Sequence, residues 1–249
     1  MTNNVCQTIM GEFRFKKFTV VNERSAMKVN TDGVLLGAAM TLKEGDKRLL
    51  DVGTGTGTIA LMAAQRLAGL SAGYAIDAID IDEPSACEAA QNFAASPWHG
   101  CLHAHHISLN EFAETCGRYD VIFSNPPYFD ESLLAPEERR SNARHTSTGL
   151  SYRELLDFAS ERLTTDGRIS MVLPADLERP LCRHARMNGL HLFRIVHIRT
   201  VPRKAPSRII AEFSRQRCDS PSEELLTIQD EGKYTQEYLS LTHDFYMFA

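Results

Sequence analysis

Short apolar runs alternate with amphipathic helical patterns from residue 48 onward, and this alternation is the feature that most restricts the fold. The seven apolar runs bounded by turn residues cover residues 48–52, 74–81, 101–107, 119–124, 167–174, 192–198 and 208–214. The helical patterns cover residues 58–69, 82–96, 151–163 and 176–188. Strands that alternate with helices are typical of βαβ units, in which each helix joins two parallel strands. The pattern therefore predicts an α/β fold with a mostly parallel sheet.

Length and composition narrow the class of protein further. The 249 residues are enough for one large α/β domain, and 43% hydrophobic with 24% charged residues is ordinary for a globular protein. The N-terminus lacks the pattern of a secretion signal, and no run of about 18 apolar residues occurs, so we expect a cytoplasmic protein without a membrane span. The six cysteines form no C-x-x-C pair. They favour free thiols and predict no metal site.

A glycine-rich loop joins the first of these runs to the first helical pattern. In "LLDVGTGTGTIAL", Gly53, Gly55 and Gly57 lie between the strand and the helix. Glycines at this position allow a tight turn and let a ligand approach the main chain and the helix N-terminus. The spacing differs from the G-x-G-x-x-G of dinucleotide enzymes, and the Lys and Ser/Thr of a phosphate-binding P-loop are missing. A nucleotide-like ligand without a pyrophosphate fits this loop better.

Acidic residues at the strand ends extend this candidate site. Asp51 leads the glycine loop, where its carboxylate can orient the loop or reach a ligand amino group through water. Asp80 ends the second strand, where an acid in a Rossmann-like fold accepts hydrogen bonds from ribose hydroxyls. Asp77 and Asp82 are nearby alternatives, although a helix N-cap accounts for Asp82.

These residues together resemble the S-adenosylmethionine (SAM)-dependent methyltransferases with a Rossmann-like fold. Their glycine loop has the pattern D/E-x-G-x-G-x-G, which residues 51–57 match. The resemblance implies SAM as the cofactor, Asp80 as the ribose-binding acid, and a seven-stranded sheet with the last strand antiparallel and helices on both faces. Many members carry an Asp beside the adenine ring at the end of the third strand. This chain has His106 and Ser108 there.

A rigid Asn-Pro-Pro-Tyr segment follows the fourth strand. Asn125, Pro126, Pro127 and Tyr128 are the predicted catalytic residues. The exocyclic amine of a nucleobase is a poor nucleophile, because its lone pair is delocalised into the ring. An Asn side-chain carbonyl and the following Pro carbonyl, each accepting one N–H, would direct that lone pair at the methyl group. Tyr128 can stack on a base that has left its helix.

This motif leaves three amino groups open as acceptors of the methyl group. They are adenine N6, guanine N2 and the glutamine side-chain amide. Residues 13–39, 140–156, 201–213 and 234–246, together with "SNPPYF", resemble the bacterial tRNA (adenine-N6)-methyltransferases over nearly the full length. That family modifies adenine 37, next to the anticodon of a valine tRNA. The resemblance implies the same reaction and the anticodon stem-loop of tRNA as the partner.

The same resemblance implies one domain over residues 1–249. Residues 1–47 would lie over the SAM pocket, residues 48–218 would form the core, and residues 219–249 would pack on it as a tail. Val29, Val34, Leu35 and Leu36 are expected in the core. The predicted cofactor contacts are Lys28, Thr31, Asp51, Gly53, Thr54, Gly55, Gly57, Asp80, Ile81, Ile107 and Asn125.

Basic residues are unevenly distributed, which fits either an ordinary solvated surface or a phosphate-binding one, and as a set they favour phosphate binding. The net charge is −5, yet residues 179–217 contain ten Lys or Arg and one acid. Such a segment can contact phosphates although the whole protein is acidic. The predicted RNA-binding residues lie in the long polar region after Tyr128 and in the connection between the last two strands: Arg139, Arg140, Arg144, His145, Arg199, Arg203, Lys204 and Arg208.

Other functions on the same fold remain alternatives. An rRNA guanine-N2 or DNA adenine-N6 methyltransferase generally carries a further recognition domain, and a protein glutamine methyltransferase an N-terminal helical domain. The chain has little length for either. A catalytically silent RNA-binding protein is the non-enzymatic alternative, and the intact Asn125, Tyr128 and Asp80 argue against it. The sequence leaves the oligomeric state open and favours a monomer.

Overall fold

The computed structural model describes residues 11–70, 73–127 and 150–249, in which strands and helices alternate. The strands are β1 (Glu12–Arg14), β2 (Thr19–Val21), β3 (Arg48–Val52), β4 (Ala75–Asp80), β5 (Leu102–His106), β6 (Tyr119–Ser124), β7 (Leu163–Pro174), β8 (His191–Arg199), β9 (Arg208–Ser214), β10 (Ser222–Thr227), β11 (Gln229–Asp230) and β12 (Lys233–Tyr234). The α-helices are α1 (Thr31–Ala39), α2 (Thr58–Leu67), α3 (Glu83–Ala94), α4 (Leu109–Thr115), α5 (Tyr152–Arg162), α6 (Glu178–Met187) and α7 (Gln236–Thr242).

The central sheet has eight strands in the order β10-β8-β9-β7-β6-β3-β4-β5. Strand β9 runs antiparallel to both β7 and β8, and the other pairs are parallel. The predicted α/β class is thus confirmed, and the seventh predicted strand, β9, is antiparallel as expected. The count of seven strands is wrong, because a further strand, β10, follows β9 in the chain and runs parallel to β8. The eighth strand, β10, is an edge strand with the sequence SEELLT and only two buried residues. A half-solvated edge needs few apolar residues, so the apolar pattern missed it.

Helix α1 lies in the N-terminal region. The sequence predicted core residues there but no helix. Its sequence, TDGVLLGAA, is apolar for most of its length and has no amphipathic period. Val34, Leu35 and Leu36 are completely buried, as predicted, and the partly buried Val29 packs against the same core. Because α1 is buried all round, a search for one apolar face does not detect it.

Two partly buried arginines hold the C-terminal end of α1. Arg66 donates hydrogen bonds to the carbonyl oxygens of Gly37 and Met40, at 2.9 and 2.8 Å, and Arg194 donates to that of Ala39 at 2.8 Å. The last carbonyls of a helix lack partners within the helix and carry partial negative charge, so guanidinium groups stabilise them. The arginines therefore fix the position of α1, which begins at the candidate site.

The core lies on both faces of the sheet. One cluster packs against the face covered by the β1–β2 hairpin and by α1, α2, α3 and α7. The second packs against the face covered by α4, α5 and α6. Within the described ranges, no helix is long and apolar enough to cross a membrane.

Candidate active site

The glycine loop between β3 and α2 adopts backbone conformations that favour glycine. Gly53, Gly55 and Gly57 have φ angles of 70°, 56° and 79°, in the left-handed region. The amide of Gly53 donates to the carbonyl of Ile79 at 2.9 Å, which ties the loop to the end of β4. A Cβ on Gly57 would lie 2.5 Å from Cε1 of Phe93. The third glycine is therefore required both by its backbone angle and by helix α3.

Asp51 lies completely buried beneath this loop. The hydroxyl of Thr54 donates to its Oδ2 at 2.8 Å. Its other oxygen, Oδ1, has no hydrogen-bond partner among the residues that the structure describes. Burial raises the pKa of the Asp51 carboxyl to about 7. An orphaned buried acceptor of this kind fits the predicted role in orienting the loop or an amino group of a ligand.

Asp80 connects β4 to the glycine loop. Its Oδ2 accepts the amide of Gly55 at 2.8 Å, and its Oδ1 accepts the amide of Asp82 at 2.9 Å. Burial raises the pKa of Asp80, and the two N–H bonds oppose that shift. Each carboxylate oxygen keeps a second lone pair, so Asp80 can hold the loop and still accept a ribose hydroxyl.

The two acidic alternatives have structural partners. Asp82 is the N-cap of α3 and accepts the amide of Ser85 at 3.0 Å, as predicted for a cap. Asp77 accepts the hydroxyl of Tyr119 at 2.8 Å and pairs with Arg48 at 3.2 Å. These contacts account for both carboxylates.

Residues 22–30, here called the N-terminal strap, extend from β2 to α1 alongside the glycine loop. The completely buried Glu88 of α3 accepts the backbone amides of Glu23, Arg24 and Ser25 at 2.9, 2.7 and 3.2 Å. A Cβ on Gly55 would lie 3.5 Å from the carbonyl oxygen of Met27. One buried carboxylate thus holds the strap against the loop.

Asn125 and Pro126 are both buried at the end of β6. The preceding Ser124 donates to the carbonyl of Val52 at 2.7 Å and so ties β6 to the start of the glycine loop. The side-chain nitrogen of Asn125 lies 3.4 Å from Oδ1 of Asn30 in the strap. Tyr128 lies outside the described residues.

The loop, the strap and Asn125 form one cleft. Its lining residues are Met27, Lys28, Val29, Asn30, Gly33, Gly53, Thr54, Gly55, Thr56, Thr58, Ile59 and Asn125. Five predicted cofactor residues, Lys28, Gly53, Thr54, Gly55 and Asn125, are among them. The Lys28 ammonium donates to backbone carbonyls within the strap, and Thr31 is exposed at the start of α1.

Sequence reasoning missed several residues of this cleft. They include Met27, Asn30, Thr56, Thr58 and Ile59. Asn30 carries a local signal, since an Asn before an apolar run is a common helix N-cap, and it caps α1 by accepting the amide of Gly33 at 2.8 Å. Its closeness to Asn125 has no local signal.

The ends of β4 and β5 lie beyond this cleft. Ile81 is 69% exposed, and Ile107 is partly buried. Nε2 of His106, at the position where the resemblance implies an Asp in many members, lies 3.1 Å from the carbonyl oxygen of Ile81. Ser108 caps α4 in a capping box with Glu111. The end of β5 therefore presents the imidazole of His106 rather than a carboxylate, and Asp80 at the end of β4 is the nearby acid.

The described basic residues differ in their surroundings. Arg208 pairs with Asp32 of α1 at 2.9 Å, and Arg199 donates to the hydroxyl of Thr227 at 2.8 Å. Arg203 and Lys204 are exposed in the turn between β8 and β9. The four other predicted RNA-binding residues lie outside the described residues: Arg139, Arg140, Arg144 and His145. Within the described ranges, no group of His, Cys, Asp or Glu could hold a metal ion.

Comparisons with solved structures identify the fold. A predicted O-methyltransferase from Agrobacterium tumefaciens has a TM-score of 0.60 at 14% identity, covering 86% of this chain and 96% of that chain. The 16S rRNA N2 G1207 methyltransferase of Thermus thermophilus, solved with AdoMet and guanosine, has a TM-score of 0.56 at 17% identity, covering 82% of this chain and 50% of that chain. Both likenesses show a methyltransferase fold.

Sequence comparisons identify the family. Residues 25–189 match the model of the methyltransferase small domain. A tRNA1(Val) (adenine(37)-N6)-methyltransferase from Parabacteroides distasonis is 41% identical over 237 residues, covering 94% of this chain and 97% of the relative. The protein of the same name from Serratia proteamaculans is 38% identical over 240 residues, covering 96% and 90%. The chain therefore belongs to the family of tRNA1(Val) (adenine(37)-N6)-methyltransferases.

Proposed function

We propose that this protein transfers a methyl group from SAM to the exocyclic N6 of adenine 37 in a valine tRNA. The observation that carries the proposal is the position of Asn125, buried at the end of β6 and at the wall of the cleft that the glycine loop forms. Relatives about 40% identical over nearly the whole chain bear the name of this reaction.

The glycine loop, Asp51 and Asp80 fit SAM as the cofactor. The loop offers bare backbone for close approach, Asp51 offers a buried acceptor, and Asp80 offers a carboxylate at the end of β4. SAM supplies a methyl group that its sulfonium charge makes electrophilic. The described residues then have only to bind, orient and exclude water.

The Asn-Pro-Pro-Tyr segment performs the positioning of the amine. We assign the Asn125 side-chain oxygen and the Pro126 carbonyl as acceptors of the two N6 hydrogens, with Pro127 stiffening the segment and Tyr128 stacking on the flipped base. The two acceptors favour pyramidal nitrogen, and the lone pair then points away from both. As the N–CH3 bond forms, the S–CH3 bond would break and a neutral thioether would leave. The methylated nitrogen would then be acidic enough to release its extra proton to water, so no strong general base is needed.

The RNA-binding surface is proposed around the same cleft. Of the four predicted RNA-binding residues that the structure describes, Arg203 and Lys204 are the exposed ones, so their charges are accessible to phosphates. The set Arg139, Arg140, Arg144 and His145 follows Tyr128 in the chain and remains part of the proposal. Arg199 and Arg208 contribute by holding their turn in place. We further propose that the chain acts in the cytoplasm as a monomer, with one methyltransferase domain.

The test is a methylation assay with a choice of substrates. The protein and labelled SAM are incubated separately with unmodified tRNA, rRNA, DNA and protein, and the product nucleoside is identified and mapped. We expect N6-methyladenosine at position 37 of a valine tRNA alone. Label in guanine, in DNA or in protein would assign one of the alternative functions, and no label in any of them would indicate a silent binding protein.

Two variants separate the roles of the site. Asn125→Ala should abolish transfer while SAM still binds, because the amine loses its acceptor whereas the glycine loop, Asp51 and Asp80 still hold the cofactor. Asp80→Ala should weaken SAM binding itself, because it removes the ribose acceptor and releases the amide of Gly55. Calorimetric titration with SAM measures the second effect without any turnover. Near wild-type turnover of Asn125→Ala would refute the mechanism.

A further inference from the structure

The side-chain amide of Asn125 has its nitrogen turned toward the N-terminal strap. Its Nδ2 lies 3.4 Å from Oδ1 of Asn30 and 3.6 Å from the sulfur of Met27. Both partners are acceptors, and both come from one segment about a hundred residues earlier in the chain. The oxygen side of the amide is therefore turned away from the strap.

The orientation of Asn30 is set by backbone groups, whose donor and acceptor roles are unambiguous. The amide of Gly33 donates to Asn30 Oδ1 at 2.8 Å, and Asn30 Nδ2 donates to the carbonyl of Lys28 at 3.1 Å. A backbone N–H can only donate, and a backbone carbonyl can only accept. The side chain of Asn30 thus has one orientation that satisfies both, and this orientation presents its oxygen to Asn125.

We propose that Asn30 is a positioning residue that selects the amide orientation of Asn125, so that the carbonyl oxygen rather than the nitrogen meets the substrate amine. The amide group of an Asn has nearly the same shape in either orientation, but only one places an acceptor at the substrate. The flipped amide would present two N–H donors to an amine that must itself donate. Asn30 disfavours the flipped amide, because the flip would bring the side-chain oxygen of Asn125 against Oδ1 of Asn30.

This inference rests on the proposed function and goes beyond it. It assigns the strap a second role besides covering the cofactor, which is to orient the side-chain amide of Asn125. A helix cap alone would account for the contact of Asn30 with Gly33 but not for the placement of the same oxygen 3.4 Å from Asn125. The experiment must therefore separate capping from orientation.

Two variants of Asn30 make that separation. Asn30→Asp keeps an oxygen that can cap α1 and accept from Asn125. Asn30→Gly removes the side-chain acceptor, and glycine is itself well tolerated at an N-cap. The matched control is Thr235→Gly, at the N-cap of α7, where Thr235 accepts the amide of Tyr238 at 3.2 Å.

We expect kcat of Asn30→Gly to fall about tenfold, equivalent to about 1.4 kcal/mol, while the Kd for SAM changes less than about twofold. Asn30→Asp should keep kcat within about threefold of the wild type, and Thr235→Gly should match the wild type. The side-chain amide signals of Asn125, assigned by their absence in Asn125→Ala, should shift in Asn30→Gly without any substrate present.

Three results would overturn the inference. Wild-type kcat in Asn30→Gly would reduce Asn30 to a cap. A loss of kcat in Asn30→Asp as large as the tenfold loss expected for Asn30→Gly would contradict the acceptor role, since the aspartate keeps the oxygen that faces Asn125, and this variant answers the question even if the glycine variant does not fold. Unshifted amide signals in a folded Asn30→Gly would remove the contact. Failure of the proposed function is distinct, since the wild type would then form no N6-methyladenosine.

Discussion

Glu88 is the residue through which the attachment of the N-terminal strap can be tested. Its carboxylate is completely buried and accepts the amides of Glu23, Arg24 and Ser25, the first two through Oε2 and the third through Oε1. A buried carboxylate that accepts three backbone hydrogen bonds is well compensated, but its replacement leaves those donors without partners. We therefore examine the change Glu88→Gln, which keeps the shape and removes one acceptor oxygen.

The expected loss follows from the geometry of the three bonds. A glutamine would place its oxygen where Oε2 accepts two amides and its NH2 group against the amide of Ser25, so one bond is lost and two donors oppose each other. Hydrogen bonds to charged groups contribute about 1.5–3 kcal/mol each. A loss of about 2 kcal/mol corresponds to a factor of about 30 in the equilibrium that seats the strap. The Kd for SAM should rise by up to that factor.

Hydrogen exchange and calorimetry together measure this effect. Amide exchange at residues 23–25 should accelerate about tenfold or more, and SAM titration should give the weakened Kd. The matched control is Glu114→Gln, the same chemical change at an exposed position of α4, which should alter neither quantity. Unchanged exchange at residues 23–25 in a folded Glu88→Gln protein would refute the claim that Glu88 holds the strap. Faster exchange with an unchanged Kd would show that the strap is not part of the cofactor site.

Three further outcomes are expected. Gly57→Ala should lower the free energy of unfolding, measured in urea, by about 2–4 kcal/mol, because a φ of 79° is unfavourable for alanine and the added Cβ would overlap the ring of Phe93. The control Gly189→Ala has a φ of 69° and no atom within 4 Å of the added Cβ, so it should lose only about 1 kcal/mol from backbone strain. The Asp51 pKa of about 7 lies above its ordinary value of 3.8, so the folded state holds a proton that the unfolded state releases. The free energy of unfolding of the cofactor-free protein should therefore fall by up to about 4 kcal/mol as pH rises from about 4 to about 7. The variant Asp51→Asn should lack this part of the pH dependence, and thermal melts of both proteins across the pH range measure the difference. Replacing Arg203 and Lys204 with alanine should weaken tRNA binding and reduce the slope of log K against log salt by about 1–2; an unchanged slope would exclude them as phosphate contacts.

Local patterns in the sequence predicted the α/β class, most strands of the central sheet and the glycine loop of the candidate site. The strand bounded by Tyr119 and Ser124 was predicted to the residue, and the cap at Asp82 was predicted with its role. Apolar runs, glycine spacing and caps depend on neighbours within a few residues, so they can be read along the chain. The Asn-Pro-Pro-Tyr motif is local in the same sense, because its prolines stiffen the backbone on their own.

The features that only the tertiary structure decided are contacts between parts of the chain that are far apart in sequence. Strand β10 joins the sheet because it pairs with β8, although its own residues are mostly polar. Arg208, one of the predicted RNA-binding residues, pairs with Asp32, 176 positions away, and no pattern along the chain indicates this contact. Asn30 meets Asn125 across 95 positions. A partner at such a distance leaves no periodic or spacing signal, since its place is set by how strands and helices pack, and that packing brings Asn30 beside Asn125.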